Sequence, residues 1–339
     1  MKKYLYIALA AAALSSCSQD ESLDVIQGEE IQFGNAFIEN STRAAAATDP
    51  SYSTTANVGV ALEKFNVYGA VKGVNIFDGD NVTKGEADYG AAWTCDGDKQ
   101  YWIAGASYKF VGVVDGNKTV EGKEVTKTTT GTDGLPTTIS YTVDGKTDLL
   151  CDVVSIGSAT ASQGVVAFDY THLLSKVKFS VKNTTDAAAT NYRIVLTEAK
   201  LTNVYGSGTY NVDADSWTPA TTTTNYTLEN LTIPSNSTQY HSHEVLLIPG
   251  SAIGVSIKAN IEATDNNGTT WTAVSSVEKD FTAVLGEGKT LTKATAYNFI
   301  VEMGIGTEIQ FTANTMAEWG NGNTADSNND STNDYVPVQ

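Results

Sequence analysis

The sequence is poor in positively charged residues. Its 339 residues contain 21 Lys and Arg against 39 Asp and Glu, so the net charge at pH 7 is −18. Nucleic acids and anionic lipid surfaces are bound through clustered cations, which this balance does not supply. Because 41% of the residues are hydrophobic, the composition also excludes a wholly disordered chain. A chain of this length can bury about two separate cores.

Helical patterns are missing as well. No long stretch repeats its apolar residues at helical spacing, and short runs rich in Val and Thr alternate with turns that contain Gly, Asn and Asp. The sequence therefore predicts an all-β fold.

Motifs that carry catalytic chemistry are absent too. The chain has no Gly-x-Ser-x-Gly, Walker, dinucleotide-binding or His-Glu-x-x-His motif, and it has only three histidines. His172 lies in an apolar stretch that favours a packed, hydrogen-bonded imidazole. His241 and His243 would share a strand face, but no third metal ligand is near them in sequence. Residues 78–81 and 326–330 resemble calcium loops without the required glycine and glutamate. We expect no enzyme activity, metal or cofactor.

The first twenty residues predict export and lipidation. Lys2 and Lys3 precede an apolar run over 5–14, which is too short to span a bilayer, and Cys17 ends a segment that resembles a bacterial lipobox. The alternative is an ordinary signal peptide with an incidental cysteine. The acidic residues 18–21 resemble the signal that exports Bacteroidetes lipoproteins to the cell surface. We therefore expect a signal peptide over 1–16, acyl chains such as palmitate on Cys17, and a surface location on the outer membrane.

Two further cysteines, Cys95 and Cys151, leave two alternatives open. In an oxidising compartment the pair could be joined as a disulfide. They could equally lie on separate apolar strands as buried free thiols.

The N-terminal region holds one isolated strand. Residues 18–30 have the composition of a polar tether, and period-two alternation predicts a strand over about 31–38. The side chains that this alternation places on one face are Ile31, Phe33 and Phe37. Residues 39–50 follow as an exposed linker by their composition.

Two strand-rich blocks account for most of the chain. The first begins near Val58 and the second near Ser175, where Val177, Phe179 and Val181 alternate onto one face. The simplest division is into two β domains, over 44–172 and 173–319. A polar tail over 320–339 follows.

Three aromatic segments occur in a characteristic order. They are Trp93 with Tyr101-Trp102-Ile103-Ala104-Gly105-Ala106-Ser107-Tyr108-Lys109-Phe110, then Phe168-Asp169-Tyr170-Thr171-His172-Leu173-Leu174-Ser175-Lys176-Val177, and finally Gly288 with Tyr297-Asn298-Phe299-Ile300-Val301, Ile309-Gln310-Phe311 and Glu318-Trp319. Together with the lipobox they resemble the fimbrillin family, the type V pilins of Bacteroidetes. The resemblance implies two transthyretin-like β-sandwich domains in tandem and a role in cell-surface fimbriae.

The resemblance also implies a precursor that is matured by an arginine-specific protease. The N-terminal strand would complete the first domain until the linker behind it is cut. Arg43 is the one arginine of that linker, so we expect cleavage between Arg43 and Ala44, which makes 17–43 a propeptide; an uncut linker is the alternative. Loss of the strand would uncover an apolar groove that accepts a donor strand from another subunit. Because donor and groove are different surfaces, repeated exchange would build a filament.

The donor strand has two candidates. The tetrapeptide Glu-Ile-Gln-Phe of residues 30–33 recurs at 308–311, so Ile309 and Phe311 could replace Ile31 and Phe33 in the groove. Residues 308–319 could instead be the last fixed strand of the second domain. The other candidate lies at 335–339, which is polar and contains Pro337, a residue that cannot donate a backbone hydrogen bond.

These expectations combine into a structural subunit of a fimbrium that contributes to adhesion, with a stalk position preferred. Its partners would be other fimbrial subunits, the arginine-specific protease, the outer membrane before processing, and a ligand on a host or bacterial surface. The alternatives are a fimbrial tip adhesin and a lipid-anchored glycan-binding protein. A glycan-binding protein could use a sugar-stacking platform, whereas aromatics in strands ordinarily form core. The platform residues would be Trp93, Tyr101, Trp102, Tyr108 and Phe110.

Overall fold

The computed structural model describes residues 28–38, 62, 64–84, 93–185, 191–228, 231–233, 241–264, 268–305 and 309–318. Regular structure in these ranges consists of β-strands, so the predicted all-β class is confirmed. In this part of the chain no helix is long and apolar enough to cross a membrane.

The strands are short and joined by turns. In chain order they are β1 (Gln32–Ile38), β2 (Lys64–Val71), β3 (Val74–Lys84), β4 (Trp93–Cys95), β5 (Tyr108–Val114), β6 (Thr119–Val120), β7 (Lys123–Glu124), β8 (Thr126–Thr130), β9 (Pro136–Thr142), β10 (Leu150–Ile156), β11 (Val165–His172), β12 (Ser175–Asn183), β13 (Tyr192–Tyr205), β14 (Ser207–Asn211), β15 (Ser216–Pro219), β16 (Thr223–Leu228), β17 (Leu231–Ile233), β18 (His241–Leu247), β19 (Gly254–Thr264), β20 (Trp271–Phe281), β21 (Thr295–Met303) and β22 (Gln310–Glu318).

The N-terminal half is built on a seven-stranded sheet. Its order is β1-β11-β10-β5-β2-β3-β4, in which β1 and β11 are parallel and the other neighbours are antiparallel. The strands alternate as half-buried strands should: in β11, buried and partly exposed side chains take turns from Val166 to His172. One face of this sheet carries an aromatic core that includes Phe65, Phe110 and Phe168.

The C-terminal half is a sandwich of two sheets. One has the order β18-β12-β21-β22 and the other β16-β13-β19-β20, with β17 also paired to β13. The core between them contains Val177, Phe179 and Val181, which are at most 1% exposed, so the predicted inward face of β12 is confirmed.

A third core joins the two halves. β14 pairs with β9, so the four-stranded sheet β15-β14-β9-β8 draws strands from both halves. The indole N–H of Trp217 donates to the carbonyl of Leu173 at 2.7 Å. The junction near residue 173 therefore lies inside a shared core, and the division into two tandem domains stays a prediction.

Candidate strand-exchange groove

The N-terminal strand closes one edge of the seven-stranded sheet. β1 lies parallel to β11, with Gln32 opposite Val165 and Phe33 opposite Val166. In the order of the described strands it is terminal, so its backbone pairs with β11 on one side only.

Two side chains anchor β1 in the core. Ile31 and Phe33 are 5% and 4% exposed. The ring of Phe33 lies 5.1 Å from that of Phe77, 5.9 Å from Phe110 and 6.4 Å from Phe168, measured between centroids. Burial of two such side chains contributes about 1.5–3 kcal/mol each. For Phe37 only the backbone is described, and it lies opposite Asp169.

The residues just before β1 are fixed by a second set of backbone contacts. The N–H of Glu29 donates to the carbonyl of Ala161 at 2.7 Å, and the carbonyl of Glu29 accepts from Trp102 at 3.0 Å. The N–H of Ile31 donates to Gln100 at 2.8 Å. Residues 28–30 are thus bound to the protein, and their assignment to a polar tether is wrong. Composition misses this because the partners lie far along the chain.

Gly28 is the tightest position of this segment. A Cβ there would overlap the carbonyl oxygen of Trp102 and lie 2.9 Å from that of Ala161. Both obstacles are backbone atoms, which cannot rotate away as a side chain could. The position therefore requires glycine.

An ion pair on the solvent side joins Glu30 to Lys99. The ammonium of Lys99 lies 2.7 Å from Oε2 of Glu30, and the hydrogen bond and charge of that carboxylate raise the pKa of Lys99. Glu30 also forms an antiparallel bridge with Tyr101. We refer to residues 99–102, β11 and the aromatic core beneath β1 as the groove.

Removal of residues 28–38 would convert the groove into an acceptor for an extended strand. The N–H of Trp102 and the carbonyls of Gln100 and Ala161 would lose their partners, and the pocket under Phe33 would open to water. Unpaired polar groups and open apolar surface both favour pairing with a new strand.

The proposed donor residues are placed in the C-terminal half. β22 pairs antiparallel with β21, and the ring of Phe311 lies 5.8 Å from Phe299 and 5.1 Å from Phe281. Ile309 and Phe311 are partly buried against the C-terminal core. Phe311 lies on β22, the last of the described strands, and Ile309 directly precedes it; β22 belongs to a different sheet from β1 and β11.

The processing and lipidation residues lie outside the described part of the chain. This applies to Cys17, Arg43 and Ala44, and also to the tail over 320–339. Their roles stay predictions.

The two cysteines are free thiols. Cys95 is on β4 and Cys151 on β10, and the sheet order places β5, β2 and β3 between those strands. Neighbouring strands are about 4.8 Å apart, so the two Cα atoms are well beyond the 7 Å limit of a disulfide. The disulfide alternative is wrong: both thiols are free, with Cys151 buried as expected but Cys95 partly exposed.

His172 is packed, as expected for a core histidine. Its Nδ1 lies 2.7 Å from Oδ2 of Asp148, and both side chains are at most 4% exposed. Asp148 also accepts a hydrogen bond from the N–H of Leu149 at 2.8 Å. Nothing in the sequence pattern pointed to Asp148 as the partner of this imidazole.

The remaining candidates do not form a site among the described residues. No group of three or more His, Cys, Asp or Glu side chains there could hold a metal ion. His241 and His243 lie on β18, with only their backbones described. Residues 78–81 are part of β3 rather than a loop. Of the proposed sugar-stacking aromatics, only Tyr101 is exposed, at 38%. Trp102, Tyr108 and Phe110 belong to the core beneath β1, and Trp93 is partly buried against it.

The fold and the comparisons together define a class of protein. Residues 1–18 match the prokaryotic membrane lipoprotein lipid attachment site, so an all-β fold follows a lipidation signal. Residues 42–319 match the family described as fimbrillin-like, which is well over half of the chain. The chain belongs to the fimbrillin-like family.

One solved structure shows the same fold at low sequence identity. A fimbrial protein from Bacteroides vulgatus is 15% identical with a TM-score of 0.56, and the match covers 86% of this chain and 99% of that one. Proteins provisionally assigned to cell adhesion in Bacteroides uniformis and Bacteroides ovatus are 15% and 14% identical, with TM-scores of 0.47 and 0.49. Those matches cover 86% of this chain and 97% and 98% of the other two. No curated protein matches the chain.

Proposed function

We propose that this protein is a stalk subunit of a cell-surface fimbrium that polymerises by strand exchange and contributes to adhesion. A precursor lipidated at Cys17 reaches the cell surface, and an arginine-specific protease cuts between Arg43 and Ala44. Release of residues 17–43 opens the groove, and a strand from another subunit fills it. Membership of the fimbrillin-like family supports the fimbrial role.

The observation that carries the proposal is how β1 is held. It is a terminal strand in the sheet order, yet it supplies two buried anchors, Ile31 and Phe33, to the core. Such a strand seals the core without being central to its sheet. The strand can therefore be replaced by another of the same pattern, whereas an inner strand such as β5, paired on both sides, could not.

The test is cleavage of the precursor, purified without its lipid, by an arginine-specific protease. Intact mass reports the cut, and gel electrophoresis of unheated samples reports ladders of subunits. An Arg43→Ala variant is the matched control because it removes the cut and leaves the described groove unchanged. A cut at Arg43 followed by ladders supports a stalk subunit. A clean cut that leaves a monomer contradicts the stalk position and favours a tip adhesin, and resistance at Arg43 contradicts the processing step.

A further inference from the structure

Arginine occurs at only two positions of this chain. These are Arg43 and Arg193, and the other 19 of the 21 basic residues are lysines. A protease that requires arginine before the cut bond therefore has two possible sites. A cut after Arg43 would release the N-terminal strand, whereas a cut after Arg193 would break β13 inside the C-terminal half. The proposed maturation requires the first cut without the second.

The peptide bond that follows Arg193 is protected by strand pairing. Ile194 is 1% exposed and lies between two strands, opposite Ile233 of β17 and Ile261 of β19. A folded protein is cut mainly through states in which the local segment has opened. β13 must therefore leave its neighbours before a protease can bind this bond.

Arg193 itself lies near the end of the strand, where this protection is weakest. It is the second residue of β13, and among the described residues its backbone is paired with Glu262 of β19 alone. The ends of strands open more easily than their centres. Backbone pairing alone would thus leave this arginine at the first part of β13 to open.

Side chains from two neighbouring strands hold the guanidinium of Arg193. Its Nε donates to Oε2 of Glu262 at 2.7 Å, and its Nη2 lies 2.6 Å from the same oxygen. The guanidinium carbon lies 4.5 Å from the ring centroid of Trp271 on β20. The side chains of Arg193 and Glu262 are 31% and 16% exposed, so water and salt screen their attraction less than that of a fully exposed pair. The charge and the planar face of the guanidinium are both engaged.

We propose that Glu262 and Trp271 lock Arg193 against the arginine-specific protease, so that maturation cuts the chain only once. Such a protease has to bind the guanidinium itself, and in the folded subunit that group is already bound. Before it can be cut, Arg193 has to give up both contacts and the end of β13 has to open. The inference rests on the proposed processing at Arg43 and adds the device that confines processing to that residue.

The test is digestion of the precursor, purified without its lipid, by an arginine-specific protease, with intact mass as the readout. We expect the wild type to be cut after Arg43 and to stay intact at Arg193. Glu262→Gln combined with Trp271→Ala removes both contacts. In this double variant we expect the cut after Arg193 to become at least about tenfold faster, the effect of about 1.4 kcal/mol on the opening of the strand end.

The matched control changes the same strands or their neighbours without touching the arginine. Glu198→Gln removes the carboxylate that pairs with Lys200 and Lys258, and Val274→Ala truncates a side chain on β20 that is 58% exposed. We expect this double variant to resist the cut after Arg193 as the wild type does.

A lysine-specific protease separates the lock from general stability. Lys200 lies farther along β13 and is paired on both sides, with Thr227 and with Ser256. Loss of the lock should leave the rate of cutting after Lys200 unchanged while the cut after Arg193 accelerates. Parallel acceleration at both residues would mean that the variant only weakens the fold, and it would overturn the lock.

Two further outcomes would also overturn the lock. They are equal cutting of the wild type after Arg43 and Arg193, and a Glu262→Gln, Trp271→Ala variant that stays intact at Arg193. Failure to cut after Arg43 would instead contradict the proposed processing, because the lock is measured at Arg193 alone.

Discussion

Substitution of Phe33 by alanine tests how firmly β1 is held. The ring is 4% exposed and lies within 6.4 Å of three other aromatic rings, measured between centroids. Truncation of a fully buried phenylalanine lowers the free energy of unfolding by about 3–5 kcal/mol. Because a terminal strand can relax around the cavity, we expect the lower end of this range, about 3 kcal/mol. In the uncut precursor we expect a lower free energy of unfolding by about this amount, measured by denaturant titration.

The same substitution should accelerate assembly. After cleavage, residues 28–38 are bound to the groove only by non-covalent contacts, and they must leave before a donor enters. Weaker binding by about 3 kcal/mol corresponds to dissociation about 100-fold faster. Ladders from Phe33→Ala should therefore appear up to about 100-fold sooner than from wild type. Gln32→Ala, at an exposed position of the same strand, is the control. Destabilisation of the precursor with an unchanged rate of assembly would refute the idea that β1 plugs the groove.

Three other substitutions or treatments test the surroundings. Asp148→Ala removes the carboxylate from the buried imidazole of His172, and we expect a loss of about 3 kcal/mol in the free energy of unfolding; an unchanged denaturation midpoint would show that the pair is not structural. Gly112→Ala drives a Cβ into the hydroxyl of Tyr170 and should destabilise by about 1–3 kcal/mol, whereas Gly157→Ala enters open space; equal midpoints for both variants would contradict this packing. Burial raises the pKa of the Cys151 thiol to about 12, so little of the reactive thiolate is present at pH 8. Burial also raises the pKa of Cys95, but this thiol is partly exposed. We therefore expect iodoacetamide to alkylate Cys95 before Cys151. Mass spectrometry of tryptic peptides measures this order, and early labelling of Cys151 in the folded protein would refute its burial.

Local patterns predicted those strands whose position and buried face follow from the alternation of residues within the strand. Period-two alternation was enough to orient β12, because Val177, Phe179 and Val181 face the C-terminal core, although the polar residues between them are buried as well. It was also enough to predict a strand near 31–38, although not that it lies parallel to β11. Strand direction depends on partners more than a hundred residues away, and no local pattern encodes it.

The contacts that define the groove are of this long-range kind. Gly28 appears in the sequence as one more small residue in a polar segment, and only the carbonyl of Trp102 above it shows why it must be glycine. The pairing of β9 with β14 is similar, since it joins two segments on either side of the predicted boundary near residue 173. Sequence alone found the repeated tetrapeptide, but only the structure shows that Ile31 and Phe33 of its first copy are buried anchors.

The central claim is that a second copy of the chain refills the groove, and a cysteine pair tests it most directly. Val165 and Gln32 lie opposite each other, and both are exposed, so cysteines at this pair should not disturb the core. If the tetrapeptide repeated at 308–311 is the donor, Gln310 of the next subunit takes the place of Gln32. A Val165→Cys, Gln310→Cys variant in a Cys95→Ser background should form oligomers linked by disulfides after cleavage at Arg43 and not before. A Gln32→Cys, Val165→Cys variant serves as the positive control, because its bond should form within the uncut precursor. Intermolecular disulfides that appear only after cleavage are the predicted result, and a chain that stays monomeric while the control bond forms would contradict the claim.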